Sequence, residues 1–246
     1  MKKPLPNITG ILLAGGQSRR MGRDKGMIRI GKFLMYQYPL KVLESLCDEI
    51  LISTCNPMEI EEDYEQVCDN IPGIGPIGGV ATCLEKSSND LNIILSYDLP
   101  LVNRGLFVEL LKYSGNTTTR KETPGEAAAP PTENHLTRND KTRESGKNLA
   151  NAPLQTNPAM QSATYDVILP VAPNGRPEPL CGIYRKSTAV ILQQMTGQKI
   201  YAMHKVASRA NTKIVPVDGS NPFFHEYLFK NVNSESDLSG LQGHLL

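Results

Sequence analysis

At 246 residues, with a net charge of +1 and 39% hydrophobic side chains, the chain fits one α/β domain carrying an insertion. Near-neutral charge gives no global pull toward nucleic acid or an anionic membrane surface, and no apolar run is long enough to span a bilayer. The five cysteines, at positions 47, 55, 68, 83 and 181, are odd in number and contain no C-x-x-C pair; they predict neither a disulfide framework nor a zinc site, and a reduced cytoplasmic setting.

Pro4 and Pro6 interrupt the start of the chain, so no signal peptide is expected there. The apolar run 8–13, bounded by Pro6 and by Gly15-Gly16, reads as a buried strand. Two glycines, Ser18, Arg19, Arg20, Gly22, Arg23, Asp24 and Lys25 follow it. Glycines let a backbone turn sharply and approach a ligand closely, and the amides of such a turn form a concavity that favours anions. With the nearby cations this is a phosphate loop, and a triphosphate is the natural ligand. It is neither a Walker loop nor a dinucleotide fingerprint, because Gly22 is followed by Arg23-Asp24-Lys25 and Gly15-Gly16-Gln17 has the wrong glycine order. The plain alternative is a glycine turn with solvating arginines, which the many residues at set offsets disfavour.

Further on, 26–33 predicts a small hairpin around Gly31-Lys32, and 34–46 an amphipathic helix disturbed by Pro39. A second strand is expected at 49–54, a short acidic surface helix at 58–65, and a brief third strand at 66–69 ending on Asp69. The second glycine cluster, 72–79 (PGIGPIGG), leads into a helix at 77–86. It is either a plain strand-to-helix connection or a second ligand loop beside the first, since ligands of open α/β sheets bind beyond the carboxyl ends of strands. The strand 91–96 is followed by Asp98, pinned by Pro100. A carboxylate there suits Mg²⁺, which takes one or two carboxylates and completes its shell with phosphate and water oxygens. The alternative role for Asp98 is to cap the helix that begins near Asn103, and 106–113 closes this half as a helix.

Residues 115–163 contain no Phe, Tyr, Trp, Val, Ile or Cys and are rich in Thr, Asn, Pro, Glu and Lys. Such a stretch buries too little apolar area to offset its ordering entropy, which predicts a disordered insertion without catalytic role. The expected organisation is a single domain over 1–114 and 164–246. After the insertion come a strand at 165–170, a turn at Asn174-Gly175, a loop from Pro177 into another strand, a helix at 187–195 and a late strand at 214–217. Cys181 reads as a packed small residue. Ser234 with Asp237 three residues on fits a helix N-cap, and the four scattered histidines suggest no metal cluster.

The pattern L-A-G-G-x-S-x-R-M-G-x-D-K resembles the nucleotidyltransferases that use a nucleoside triphosphate and release pyrophosphate. Within them it is most similar to the molybdenum cofactor guanylyltransferases, which join GMP to molybdopterin. The Gly15-Gly16 pair points that way, because cytidylyl and sugar relatives more often carry Ala-Gly. Gly75, Pro76 and Gly79 match the family's guanine-holding segment, Asp98-Leu99-Pro100 its magnesium site, and Pro177-Glu178-Pro179-Leu180 to Tyr184 a segment facing the acceptor. Residues 231–238 are similar to its terminal N-x-N-T-P-E-x-L, with Ser234 and Ser236 as departures, and Tyr97 departs from the small residue usual before the Asp.

The resemblance implies a three-layer, doubly wound, mostly parallel Rossmann-like sheet and transfer of GMP from GTP to the phosphate of molybdopterin. Arg19, Lys25 and Asp98 would be catalytic. Leu13, Ala14, Gly15, Gly16, Lys25, Asp69, Gly78 and Asp98 would hold GTP, and Asp98 would hold Mg²⁺. Asn56 or Ser53 would contact the base, and Lys199, His204, Lys205 and Arg209 the anionic pterin. The substrates would be GTP and molybdopterin, with transient contacts to other molybdenum cofactor proteins, in a cytoplasmic monomer or weak oligomer. Two other readings are a cytidylyl or sugar-phosphate nucleotidyltransferase and a non-catalytic nucleotide-binding regulatory subunit. Retention of both Lys25 and Asp98 disfavours the latter.

Overall fold

The computed structural model describes residues 7–15, 25–58, 60, 63–115, 164–233 and 237. The first strand, β1 (Ile8–Leu13), is buried along its whole length. A two-stranded hairpin of β2 (Arg29–Ile30) and β3 (Phe33–Leu34) follows, closed by Gly31. Then come α1 (Gln37–Glu44), with Pro39 accommodated in its first turn, β4 (Glu49–Ser53) and β5 (Glu65–Val67). Next are α2 (Pro76–Lys86), β6 (Leu91–Ser96) and α3 (Arg104–Leu111). The last part contains β7 (Val167–Val171), β8 (Cys181–Arg185), α4 (Thr188–Gly197), a 3-10 helix Met203–Ser208 and β9 (Thr212–Pro216).

Seven strands form one sheet in the order β5-β4-β1-β6-β8-β7-β9. All run parallel except β8, which is antiparallel to both β6 and β7. Alternation along β1 sends Ile8 and Leu12 to one face, where they meet Leu40 and Leu43 of α1 and Leu106 and Leu110 of α3. Ile11 and Leu13 point to the other face, against Ile77, Val80 and Leu84 of α2. Leu192 and Met195 of α4 belong to that second cluster. The expected three-layer, doubly wound, mostly parallel architecture is therefore present, and the near-continuous apolar strands are what burial on both faces demands. Among the described residues no helix is long and apolar enough to cross a membrane.

Local readings differ in three places. The acidic helix expected at 58–65 is absent at its described residues. Gln66 instead clasps Met58, its side chain accepting from the Met58 amide at 2.8 Å and donating to the Met58 carbonyl at 2.9 Å. This pins the segment as a connection into β5, which begins at Glu65. Asn103, not Asp98, caps α3, its side chain accepting from the Leu106 amide at 3.4 Å. The helix expected at 106–113 runs instead from Arg104 to Leu111, and among the basic residues of 199–209 the Arg209 guanidinium bonds the Gln198 side chain at 2.9 Å.

Residues 116–163 lie outside the described residues, but the two points where the domain meets them are adjacent. A Cβ built on Gly115 would sit 3.5 Å from Thr164 Cγ2. Arg185, its side chain 13% exposed, holds both ends together. Its Nη2 donates to the Ser114 carbonyl at 2.7 Å and its Nε to the Tyr165 carbonyl at 3.1 Å, while Nη1 pairs with Asp90. The ion pair is half in water and adds little, so the two carbonyl contacts carry the stabilisation. Arg185→Ala is expected to cost about 2 kcal/mol, chiefly by leaving the buried Ser114 carbonyl without its donor; chemical denaturation measures it. Replacing 116–163 with a short glycine-serine linker is expected to preserve the fold and leave the melting temperature unchanged or slightly raised, because closing a shorter loop costs less entropy. A fall of several degrees would count against the single-domain division at 1–114 and 164–246.

Candidate active site

The parallel strands direct their carboxyl ends to one edge of the sheet. The backbone beyond them is stitched together: the Ala14 amide donates to the Ser53 carbonyl at 3.0 Å, Thr54 to Val67 at 2.9 Å, and Tyr97 to Leu13 at 3.1 Å. Chain order reverses at β1. The chain leaves it toward β4 and β5 on one side, then crosses through α2 to β6 on the other. Such a switch point opens a crevice beyond the strand ends, the standard ligand position of an open α/β sheet. Ala14 and Gly15 leave β1 on one side of that crevice, and Asp98 leaves β6 on the other.

On the β4–β5 side, Asp69 follows β5 and turns toward the start of α2. The helix begins at Gly75, whose φ of 83° suits glycine, with Pro76 at its first position and no side-chain cap. The Gly78 amide donates back to the Gly75 carbonyl at 3.2 Å, closing the first turn, and the positive end of the helix dipole lies beside Asp69. Gly79 allows the helix to lie against β4. A Cβ there would fall 2.2 Å from Ser53 Oγ and 2.8 Å from Asp69 Oδ1, and one on Gly78 would be 3.2 Å from Asp69 Oδ2. Burial raises the Asp69 carboxyl pKa, and a hydrogen bond from the Ser53 hydroxyl works against that rise. Ile71, 50% exposed, adds an apolar surface in the glycine loop.

On the β6 side, Tyr97 turns into the core while Asp98 stays half-exposed. The Asp98 carbonyl accepts from the Val232 amide at 2.9 Å, bringing the Asn231-Val232-Asn233 segment onto this turn. The Asp237 carboxylate accepts from the Asn233 amide at 3.0 Å. This is the reach-back expected of a cap, one residue earlier than the Ser234 position. Opposite Asp98, the β6–β8 register (Leu95 with Cys181) continues outward to Glu178. Its loop is fixed by the buried Tyr184, whose hydroxyl donates to the Pro179 carbonyl at 2.7 Å, and by the Ser96 amide, which donates to the Leu180 carbonyl at 2.9 Å. Burial first, and then the charge of Asp98, raises the Glu178 carboxyl pKa, with Arg176 opposing.

The structure thus gathers Leu13, Ala14, Gly15, Asp69, Gly78 and Asp98 at one sheet edge. Lys25 opens a 3-10 turn (Lys25–Met27) whose Gly26 carbonyl accepts from the Tyr36 amide at 3.3 Å. Gly16 and Arg19 lie outside the described residues, as does the Lys25 side chain. Ser53 is buried and engaged with Asp69, whereas Asn56 is exposed, its backbone in a turn with the Thr54 hydroxyl. Two features escaped the sequence reading. The pairing of Glu178, expected only as part of a segment facing the acceptor, with Asp98 comes from the strand register that puts the two across from each other. The expectation of no disulfide is also corrected, because Cys55 and Cys68 are bonded. The pairing of β4 with β5 brings these two positions together from 13 residues apart, which spacing in the chain does not disclose. Cys181 is packed and fully buried, as expected.

Comparison with known proteins agrees with this geometry. A natural relative from Natranaerobius thermophilus, named a probable molybdenum cofactor guanylyltransferase, is 23% identical over 97% of this chain and 97% of its own length. A similarly named protein of Flavobacterium johnsoniae is 29% identical over 44% of this chain; that match spans only 56% of the relative. Among solved structures, the molybdopterin-guanine dinucleotide biosynthesis protein A of Archaeoglobus fulgidus superposes with a TM-score of 0.65 at 19% identity. It covers 96% of this chain and 97% of its own. The 2-C-methyl-D-erythritol 4-phosphate cytidylyltransferase of Thermus thermophilus shares the fold with a TM-score of 0.55 at 12% identity, over 95% and 96% of the two chains. Residues 10–139, more than half of the chain, match the MobA-like NTP transferase domain, and the chain belongs to that nucleotidyltransferase family.

Proposed function

We propose that this nucleotidyltransferase moves GMP from GTP to the phosphate of molybdopterin, releasing pyrophosphate and forming molybdopterin guanine dinucleotide. The observation that carries the reading is the placement of Gly15 and Asp98 on either side of the β1–β6 switch point, with Asp69 and the start of α2 next to it. Natural relatives named for guanylyl transfer, matched along nearly the whole chain, support guanylyl over cytidylyl transfer.

In this reading Leu13, Ala14, Gly15 and Gly16 line the triphosphate, and Lys25 and Arg19 counter the charge that grows on its phosphates. Asp69, Gly78 and Asn56 hold the guanosine end, with Ile71 as an apolar wall. Phosphoryl chemistry of this kind asks little of the protein beyond alignment and charge neutralisation. Asp98 suits Mg²⁺ as a carboxylate donor, with Glu178 close enough to couple to it electrostatically. Mg²⁺, when bound, would supply charge neutralisation at the phosphates. Dependence on GTP fits a cytoplasmic setting.

Calorimetric titration with GTP, CTP, ATP and UTP in Mg²⁺ is the primary test: selectivity for GTP supports the proposal, and selectivity for CTP moves the protein to a sister activity. No nucleotide binding would favour neither. Asp98→Ala is expected to keep the melting temperature and lower turnover by about 10²-fold or more, read as pyrophosphate release at saturating magnesium. Gly79→Ala is expected to destabilise the fold by about 1–3 kcal/mol and to weaken GTP binding, since the new methyl displaces Ser53 or Asp69. Denaturation and titration of the same variant measure both.

A further inference from the structure

The Cys55–Cys68 bond ties together the two strand ends that carry the nucleoside side of the site. It lies just beyond the last paired residues of β4 and β5, Ser53 with Val67. Ser53, whose hydroxyl holds the Asp69 carboxylate, is two residues before Cys55, and Asn56 directly follows it. Asp69 directly follows Cys68, and its amide donates to Cys55 Sγ at 3.2 Å. β5 is a three-residue edge strand, and among the described strands β4 is its only neighbour. Three residues of ladder hold an edge weakly, so the covalent link is a principal restraint on where Asp69 sits. Both bonded cysteines are exposed. Cys83 and Cys181 are buried and Cys47 is partly so. Burial pushes the Cys47 and Cys83 thiols up to about 12 and Cys181 well above its ordinary value, so none of them competes as a thiolate.

We propose that Cys55–Cys68 is a reversible thiol–disulfide site that sets the grip of the nucleoside end: closed, it preassembles Asp69 and Asn56, and a dithiol reductant opens and loosens it. The inference rests on the nucleotide reading of this crevice. One thiolate of the reductant attacks a sulfur, breaking the Cys55–Cys68 bond and forming a mixed disulfide. Its second thiolate then displaces that sulfur. Two electrons pass to the protein, both cysteines end as thiols after proton uptake, and the reductant leaves as its own disulfide.

The test uses the full chain, oxidised with diamide or reduced with dithiothreitol, with the bond scored by alkylation and mass spectrometry. GTP is titrated into each form and into the Cys55→Ser/Cys68→Ser double variant. Reduction is expected to weaken GTP binding about tenfold, as loss of preorganisation does, and the double variant to bind like the reduced form under both conditions. Equal affinities in both forms, a bond that dithiothreitol leaves intact, or unfolding of the whole chain on reduction would each overturn the proposal. If GTP binds neither form, the nucleotide reading falls, and the redox site is judged by amide exchange over 70–79. Faster exchange on reduction sustains it and unchanged exchange removes it.

Discussion

Everything at the site hangs from β1. The strand is hydrogen-bonded along both edges, to β4 and to β6, and covered on both faces by helices. Its backbone polar groups are therefore satisfied without water, and its side chains have no room to shift, since interiors are packed to crystal-like density. The loop that leaves it at Ala14 and Gly15 thus starts from a fixed point. The loops carrying Asp69 and Asp98 start from strands registered against the same ladder. The cost of fixing those starting points is met on folding.

The two sides of the crevice are built by different means. On the β4–β5 side, close approach does the positioning: α2 lies so near β4 that only glycine fits at position 79 against Ser53 and Asp69. On the β6 side, the return strand β8 does it. Running antiparallel to β6, it delivers the Glu178 loop back to the carboxyl edge, and Tyr184 clamps that loop from within the core. A single reversed strand in an otherwise parallel sheet thereby borders the crevice on its β6 side.

Much of this was readable in the chain. Short apolar runs with glycine or proline at their ends marked β1, β4 and β6 almost to the residue, because strands buried on both faces must be continuously apolar. Two glycine clusters and Asp98 stood out for the same reason, as polar or flexible punctuation directly after such runs. What escaped was whatever depends on contacts between distant segments. The Cys55–Cys68 bond and the opposition of Glu178 to Asp98 arise from strand pairing. The Met58 clasp arises from one glutamine reaching back eight residues, and it overrode the helical preference of an acidic stretch. Asp98 was an alternative cap for the helix that begins near Asn103, and the structure gives that role to Asn103 itself.

Arg185 binds the two lips of the gap between Gly115 and Thr164 to each other and to Asp90. Both ends are thus fixed within the domain itself, where α3 ends and β7 begins. The domain therefore has a built-in socket: cargo of almost any length can be spliced between these two positions, by evolution or by an engineer adding a reporter, while the sheet sees the same pair of anchored ends.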